Sequence, residues 1–177
     1  MSQIDEHLVE LVRSAIGLEL NGEYFYRRAA EATAHPKGKA MFLQLAEHEQ
    51  GHIGEIGALF ASLIGDSEWE RITAEEIANP RMSPVISQLE AAVRARGHTE
   101  VADDTQALRL AMELERRAVT FFEGLENSTK DLIQQEMIRK LADEERYHYD
   151  FLQAQLDSVL NVGIWLDAPE FRLDGKF

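Results

Sequence analysis

Six residues have the types and spacing to hold metal ions: Glu19, Glu49 with His52, Glu115, and Glu145 with His148. Glu-x-x-His on a helix presents a carboxylate and an imidazole on one face, because positions i and i+3 are neighbours there. Each pair can therefore aim one oxygen and one nitrogen ligand at a single point, and Glu19 and Glu115 can each add a further carboxylate. Two divalent irons carry four positive charges, which four carboxylates neutralise while two neutral imidazoles leave the balance unchanged. Such a centre is electrically closed when reduced. On oxidation its excess charge can be met by an oxygen species derived from dioxygen, peroxide or water.

The spacing is repeated. Sliding the chain against itself by 96 residues places Glu19 on Glu115, Glu49 on Glu145 and His52 on His148, with Ala15 on Ala111, Leu18 on Leu114, Phe25 on Phe121, Leu45 on Leu141 and Ala46 on Ala142. The chain thus contains two copies of one helix hairpin. A single Glu-x-x-His would mean little, since 22 Glu and six His in 177 residues give roughly 0.75 such matches by chance. Two at one repeat offset, each with a Glu at the same place in the preceding helix, carry far more weight. All six residues also fall on stripes otherwise filled by apolar side chains. Carboxylates are seldom buried unless paired or metal-bound, so four converging in one core call for cations.

The elements that must position them are four long segments of period 3.6, at about 4–33, 37–64, 104–126 and 130–160. Their inward stripes include Leu8, Leu11, Ala15, Glu19, Gly22, Tyr26 and Ala29 in the first, and Phe42, Leu45, Glu49, His52, Ile56, Leu59 and Leu63 in the second. The third shows Leu108, Ala111, Glu115, Ala118, Phe122 and Leu125, with Asp103 or Asp104 expected to cap its start. The fourth shows Ile138, Leu141, Glu145, His148, Leu152 and Val159. Residues 65–102 form a connector in which Thr73 and Glu76 have capping-box spacing, and Ser83-Pro84 opens a short helix that Gly97 can close. The expectation is an all-α fold, a ferritin-like four-helix bundle over 1–160 made of two repeated hairpins joined by a long crossover. A tail at 161–177 is expected to pack on the bundle or on a partner subunit.

Composition removes other classes. The 177 residues hold 18 Lys+Arg against 32 Asp+Glu, a net charge of −14, which disfavours nucleic acid and anionic lipid as partners. There is no Cys, so disulfide frameworks, thiolate metal sites and Cys nucleophiles are excluded. The segment Met1-Ser2-Gln3-Ile4-Asp5-Glu6-His7 is acidic where a secretory signal is basic, and no apolar run is long enough to span a membrane. A cytoplasmic location is the expectation.

One Glu from each of two helices and Glu-x-x-His from each of the other two is the ligand set of ferritin-like di-iron and di-manganese carboxylate proteins, and the metal assignment rests on that match. The runs Leu45-Ala46-Glu47-His48-Glu49-Gln50-Gly51-His52 and Leu141-Ala142-Asp143-Glu144-Glu145-Arg146-Tyr147-His148 resemble helices two and four of the rubrerythrins. Glu19 with Tyr26, and Glu115 with Phe122, resemble helices one and three. The resemblance, over about 4–160, implies that Glu19 and Glu115 are terminal ligands, that Glu49 and Glu145 bridge, and that His52 and His148 bind one metal each. It implies two iron ions per chain, with manganese or a mixed pair as the alternative. The implied activity is a peroxidase that reduces hydrogen peroxide with an external electron donor. Alternatives are a ferroxidase that oxidises and stores iron using dioxygen, and a di-manganese catalase-like enzyme. A homodimer is the expected assembly.

The sequence departs from the rubrerythrin pattern in two places. Rubrerythrins proper carry a rubredoxin-like module with a four-Cys iron, for which this sequence has no Cys. They also use an additional carboxylate near the third-helix ligand, whereas Glu115 is flanked on its own face by Ala111, Met112, Ala118 and Val119.

Tyr26, two turns after Glu19, is the candidate catalytic residue outside the ligand set: it could hydrogen-bond a ligand carboxylate or relay an electron, or be a core Tyr. Its repeat counterpart Phe122 has no hydroxyl, so the two halves of the site need not be equivalent. Glu23 is a possible seventh ligand, equally well explained by an i,i+4 pair with Arg27. Glu113, Glu47, His48 and Glu144 are expected to face solvent, and Trp69 and Trp165 to serve an interface or a lid.

Overall fold

In the computed structural model, residues 6–94 and 100–166 are described, without the side chains of 100–103. Among them are six helices: α1 (Glu6–Ala32), α2 (Pro36–Ile64), α3 (Asp66–Ala78), α4 (Pro84–Arg94), α5 (Glu100–Ser128) and α6 (Leu132–Val162). No strand occurs among the described residues.

The long helices start and stop where local chemistry dictates. Pro36 occupies the first turn of α2, where its missing N–H costs nothing, and the His35 side chain accepts from the Lys37 backbone N–H at 3.3 Å. Asp131 caps α6, its carboxylate accepting from Ile133 N and Gln134 N at 3.0 and 2.9 Å. Gly163 ends α6 in the left-handed region at φ 67°, which a side chain would resist. With only short links between α1 and α2 and between α5 and α6, each pair folds as an antiparallel hairpin. α1 packs mainly on α2 and α5 mainly on α6, and the hairpins meet through α1–α5 and α2–α6 contacts. This is a ferritin-like four-helix bundle.

Two apolar clusters fill it, one above and one below the layer of ionisable residues. Phe25, Tyr26, Phe42, Leu108, Phe151 and Leu152 belong to one; Val12, Ile16, Ile56, Phe60, Phe122 and Ile138 belong to the other. Ala15, Leu141 and Ala142 lie in one cluster while their repeat counterparts Ala111, Leu45 and Ala46 lie in the other. That exchange is what a pseudo-two-fold axis through the ionisable layer produces. The predicted stripes of the third and fourth helices are buried in full. In α2 the stripe drifts by its last turn, so that Ile64 is buried and Leu63 is 44% exposed.

The connector differs from the sequence-based expectation of one short helix: it holds both α3 and α4. Thr73 and Glu76 sit inside α3 and do not open a helix. Asp66 and Glu68 in the first turn of α3 suit its positive end instead. Glu76 is buried because Arg13 donates to it at 2.7 Å, with Arg81 at 3.4 Å. Ser83 does precede α4, and Asn21 of α1 ties that junction down by donating to Arg81 O at 2.9 Å and accepting from Ser83 N at 2.7 Å. The proposed stop at Gly97 lies outside the described residues. α3 packs on α1 and α2, and α4 on α1 and α5. α5 begins at Glu100, earlier than expected, so Asp104 lies within the helix and does not cap it, while Asp103 is outside the described side chains.

Beyond α6 the chain turns back, and Trp165 enters the core edge-on to Phe42 at 6.1 Å and stacked on His35 at 6.2 Å. It is a core residue, 3% exposed, and not a lid. Gln155 holds this return by accepting from Leu166 N at 3.0 Å. Trp69 lies in α3, partly buried against the second cluster. Residues 167–177 lie outside the described residues.

Candidate metal centre

Each long helix inserts its ionisable residues between the two apolar clusters: Glu19 from α1, Glu49 and His52 from α2, Glu115 from α5, Glu145 and His148 from α6. All six are buried, none more than 4% exposed. The structure brings together all six residues selected from the sequence.

They form two overlapping groups, Glu19, Glu49, His52 and Glu145, and Glu49, Glu115, Glu145 and His148, within each of which one potential ligand atom per residue lies within 4.8 Å of the others. Glu49 and Glu145 belong to both. His52 directs Nδ1 inward, 3.2 Å from Glu19 Oε2 and 3.1 Å from Glu145 Oε1. His148 also directs Nδ1 inward, 3.3 Å from Glu49 Oε1, 3.3 Å from Glu145 Oε2 and 3.8 Å from Glu115 Oε1.

Protein groups alone do not satisfy this layer. Glu19 Oε1, Glu49 Oε1, both Glu145 oxygens and His148 Nδ1 are buried without a hydrogen-bond partner. Unpaired buried acceptors are costly, and these five atoms all belong to residues of the two groups. The charge is frustrated as well. Burial pushes Glu19 up to about 7 and Glu115 up to about 8, with the Glu145 charge adding to each, and Glu49 is raised well above its usual range by the same causes. Burial alone would raise Glu145 too, but the close His148 and His52 rings prevail and hold it below the ordinary carboxylate range. Burial opposes charge on both histidines, yet their carboxylate partners raise them. Four carboxylates, two inward imidazole nitrogens and several orphaned oxygens fit a pair of divalent cations.

Sequence reasoning missed the outer partners of the two rings. The Glu144 carboxylate, from the other hairpin, lies 3.0 Å from His52 Nε2. His48 Nδ1 lies 3.2 Å from His148 Nε2. Both were expected to face solvent, but each reaches across the α2–α6 interface. Their signal was available, since 144 − 48 equals the repeat offset of 96 and each immediately precedes the Glu of a Glu-x-x-His. His48 is half-buried, and burial together with the neighbouring His148 and His52 lowers it to about 4.

Tyr26 donates its hydroxyl to Glu115 Oε1. Burial and the charges of Glu115 and Glu49 keep that phenol well above its usual range, so the oxygen retains its proton. Phe122, its counterpart, is buried in the opposite cluster. Gly22 lies close behind the Glu49 carboxylate: a Cβ there would push that side chain aside. Glu23 pairs with Arg27 at 2.9 Å, and Glu113 with Arg116 and Arg117, outside the layer.

A cleft of about 650 Å³ opens along α2 and α6, lined by His48, His52, Glu144, Tyr147 and His148 among others. It brings solvent to the outer edge of the two ligand rings. No helix among the described residues is long and apolar enough to cross a membrane.

The bundle and its buried carboxylate–imidazole layer define a ferritin-like protein of the di-metal carboxylate class. The sequence matches the rubrerythrin family model over residues 10–156, and the chain belongs to that family. Its family is one of di-iron carboxylate proteins. Among solved structures, a hypothetical protein from Pyrococcus furiosus is similar at 26% identity and a TM-score of 0.61, over 90% of this chain and 94% of that one. No curated protein matches.

Proposed function

We propose that this chain is a di-iron oxidoreductase that reduces hydrogen peroxide to water with electrons from an external donor. The observation that supports it most directly is the pair of overlapping ligand groups sharing Glu49 and Glu145. In this reading Glu49 and Glu145 would be shared by both ions, Glu19 and His52 would hold one of them, and Glu115 and His148 would hold the other. When bound, a di-iron pair supplies the two electrons that, with two protons, break the O–O bond of one hydrogen peroxide to give two waters, and the external donor restores them.

The protein's own residues set the conditions. The apolar clusters on both sides exclude bulk water from the layer, which strengthens every electrostatic interaction inside it. Tyr26 holds a proton against Glu115 Oε1 and fixes the orientation of that carboxylate. Glu144 and His48 fix the ring orientations of His52 and His148 from outside. The α2–α6 cleft is wide enough for a small oxidant to approach the layer. The 177 residues contain no Cys, so they cannot themselves hold a further, thiolate-bound iron as the electron source.

One observation favours a ferroxidase instead. The cleft is lined by Glu47, Glu55, Glu136, Asp143 and Glu144, a mouth suited to cations, although Arg139 and Lys140 stand in it too. Stopped-flow oxidation of the diferrous protein in single turnover separates the two. The expected result is faster reaction with hydrogen peroxide than with dioxygen. Equal or faster reaction with dioxygen would move the assignment to the ferroxidase, and rapid peroxide disproportionation without a reductant by manganese-loaded protein would move it to a catalase.

A further inference from the structure

We infer that the two metal positions are chemically unequal, and that the position built by Glu19 and His52 binds its ion more tightly and fills first. The inference rests on the metal-centre reading above and concerns differences between residues at matching places in the two repeats.

The first difference lies behind the rings. For Nδ1 of either histidine to ligate a metal, its proton must sit on Nε2, which then donates outward. His52 Nε2–H donates to an anion, Glu144. His148 Nε2–H donates to Nδ1 of His48, and a ring nitrogen that accepts a hydrogen bond belongs to a neutral imidazole. An anionic acceptor draws the proton outward and makes the opposite nitrogen a stronger donor to metal; a neutral acceptor does so less. Lys140 at 3.4 Å from the other Glu144 oxygen moderates the effect but stands on the solvent side.

The second difference lies behind the terminal carboxylates. Glu115 Oε1 accepts the Tyr26 hydroxyl, so that oxygen has less electron density to give a cation. Glu19 has no such donor, because the matching place in the other repeat is Phe122. Glu19 Oε1 is instead buried without any partner. Both asymmetries act in one direction: the Glu19–His52 half has the stronger donors, and the Glu115–His148 half has the weaker ones. Because Glu49 and Glu145 are shared, they cannot offset the difference.

The test is anaerobic titration of the metal-free full chain with Co(II), followed by calorimetry and by the visible absorption of the bound ion. Two binding steps are expected, the first at least about tenfold tighter, the lower end of what outer partners of metal ligands contribute. Glu144→Gln should weaken the first step about tenfold or more and leave the second. Tyr26→Phe should tighten the second alone. His48→Asp, which gives the second half the anion it lacks, should draw the two steps together, and thermal melts of each metal-free variant confirm that it folds. Two steps of equal affinity in the unaltered chain would overturn the inference while leaving the metal centre intact. So would Glu144→Gln acting on the weaker step. Binding of no Co(II) at all would refute the metal-centre reading itself.

Discussion

His52 Nε2 of α2 lies 3.0 Å from the Glu144 carboxylate of α6, so a candidate metal ligand from one repeat is oriented by a residue of the other. The reciprocal contact, His148 to His48, spans the same interface at 3.2 Å. Each hairpin therefore supplies half of the ligands and the outer support for the other half. Neither repeat could form the centre alone, and the bundle must be assembled before either ring is fixed.

Replacement of one shared carboxylate should empty both positions. Glu49 and Glu145 belong to both ligand groups, so Glu49→Ala or Glu145→Ala is expected to reduce bound metal from two ions per chain to none, measured by elemental analysis after reconstitution. Retention of two tightly bound ions with unchanged spectra would remove that residue from the bridging role.

Gly22→Ala tests the same carboxylate from behind. A methyl at Gly22 collides with the Glu49 side chain, which has to shift away from α1. Metal affinity should fall at both positions. The metal-free fold should survive, because Ala suits a helix interior better than Gly by up to about 1 kcal/mol. Wild-type affinity in this variant would show that Glu49 can yield without leaving the site.

Trp165 separates folding from metal binding. Its ring is buried against Phe42 and His35, in the apolar cluster on one side of the layer. Trp165→Ala should cost about 3–5 kcal/mol in urea unfolding and leave metal stoichiometry unchanged. A loss below about 1 kcal/mol would mean that the return after α6 is not part of the stable core.

These variants also mark what was legible in the sequence. The repeat offset, the four long helices and the burial of six Glu and His residues in one layer could all be read there, because a 3.6 period interrupted by Glu and His at matching places has few physical explanations. α3 could not, because its inward face carries Glu76, whose burial depends on Arg13 more than 60 residues away. Trp165 follows a helix-ending Gly in an aperiodic segment, and no local pattern tells a returning chain from a departing one. His48 and Glu144 were misjudged because they lie off the inward stripes of their own helices. They meet the site across a helix pair, a relation fixed by packing and not by either helix's own period.

In the metal-free protein, the buried carboxylates set how stability changes with pH. Glu19 at about 7, Glu115 at about 8 and the raised Glu49 all stand above the ordinary carboxylate value of 4.5 that they regain on unfolding. Between about pH 4.5 and 8 the folded chain thus holds more protons than the unfolded one, and stability falls as pH rises, by up to about 1.4 kcal/mol per unit for each group still titrating. His52 and His148, raised by their carboxylate partners, act in the same sense: their contribution is complete below about pH 6.5 and is lost as pH climbs through their folded values. Glu145 is depressed and acts oppositely, its contribution being lost as pH falls below about 4.5, so the metal-free bundle should be most stable near pH 5. Bound metal reverses the slope, because ligands must shed protons to bind and acid then competes with the ion. Urea unfolding of metal-free protein at pH 5, 6, 7 and 8, repeated with Glu19→Gln, checks both parts. The wild type should lose stability steadily toward pH 8 and the variant should lose less. Metal-free protein that gains stability over that range would show that the four carboxylates are not crowded together as the structure has them.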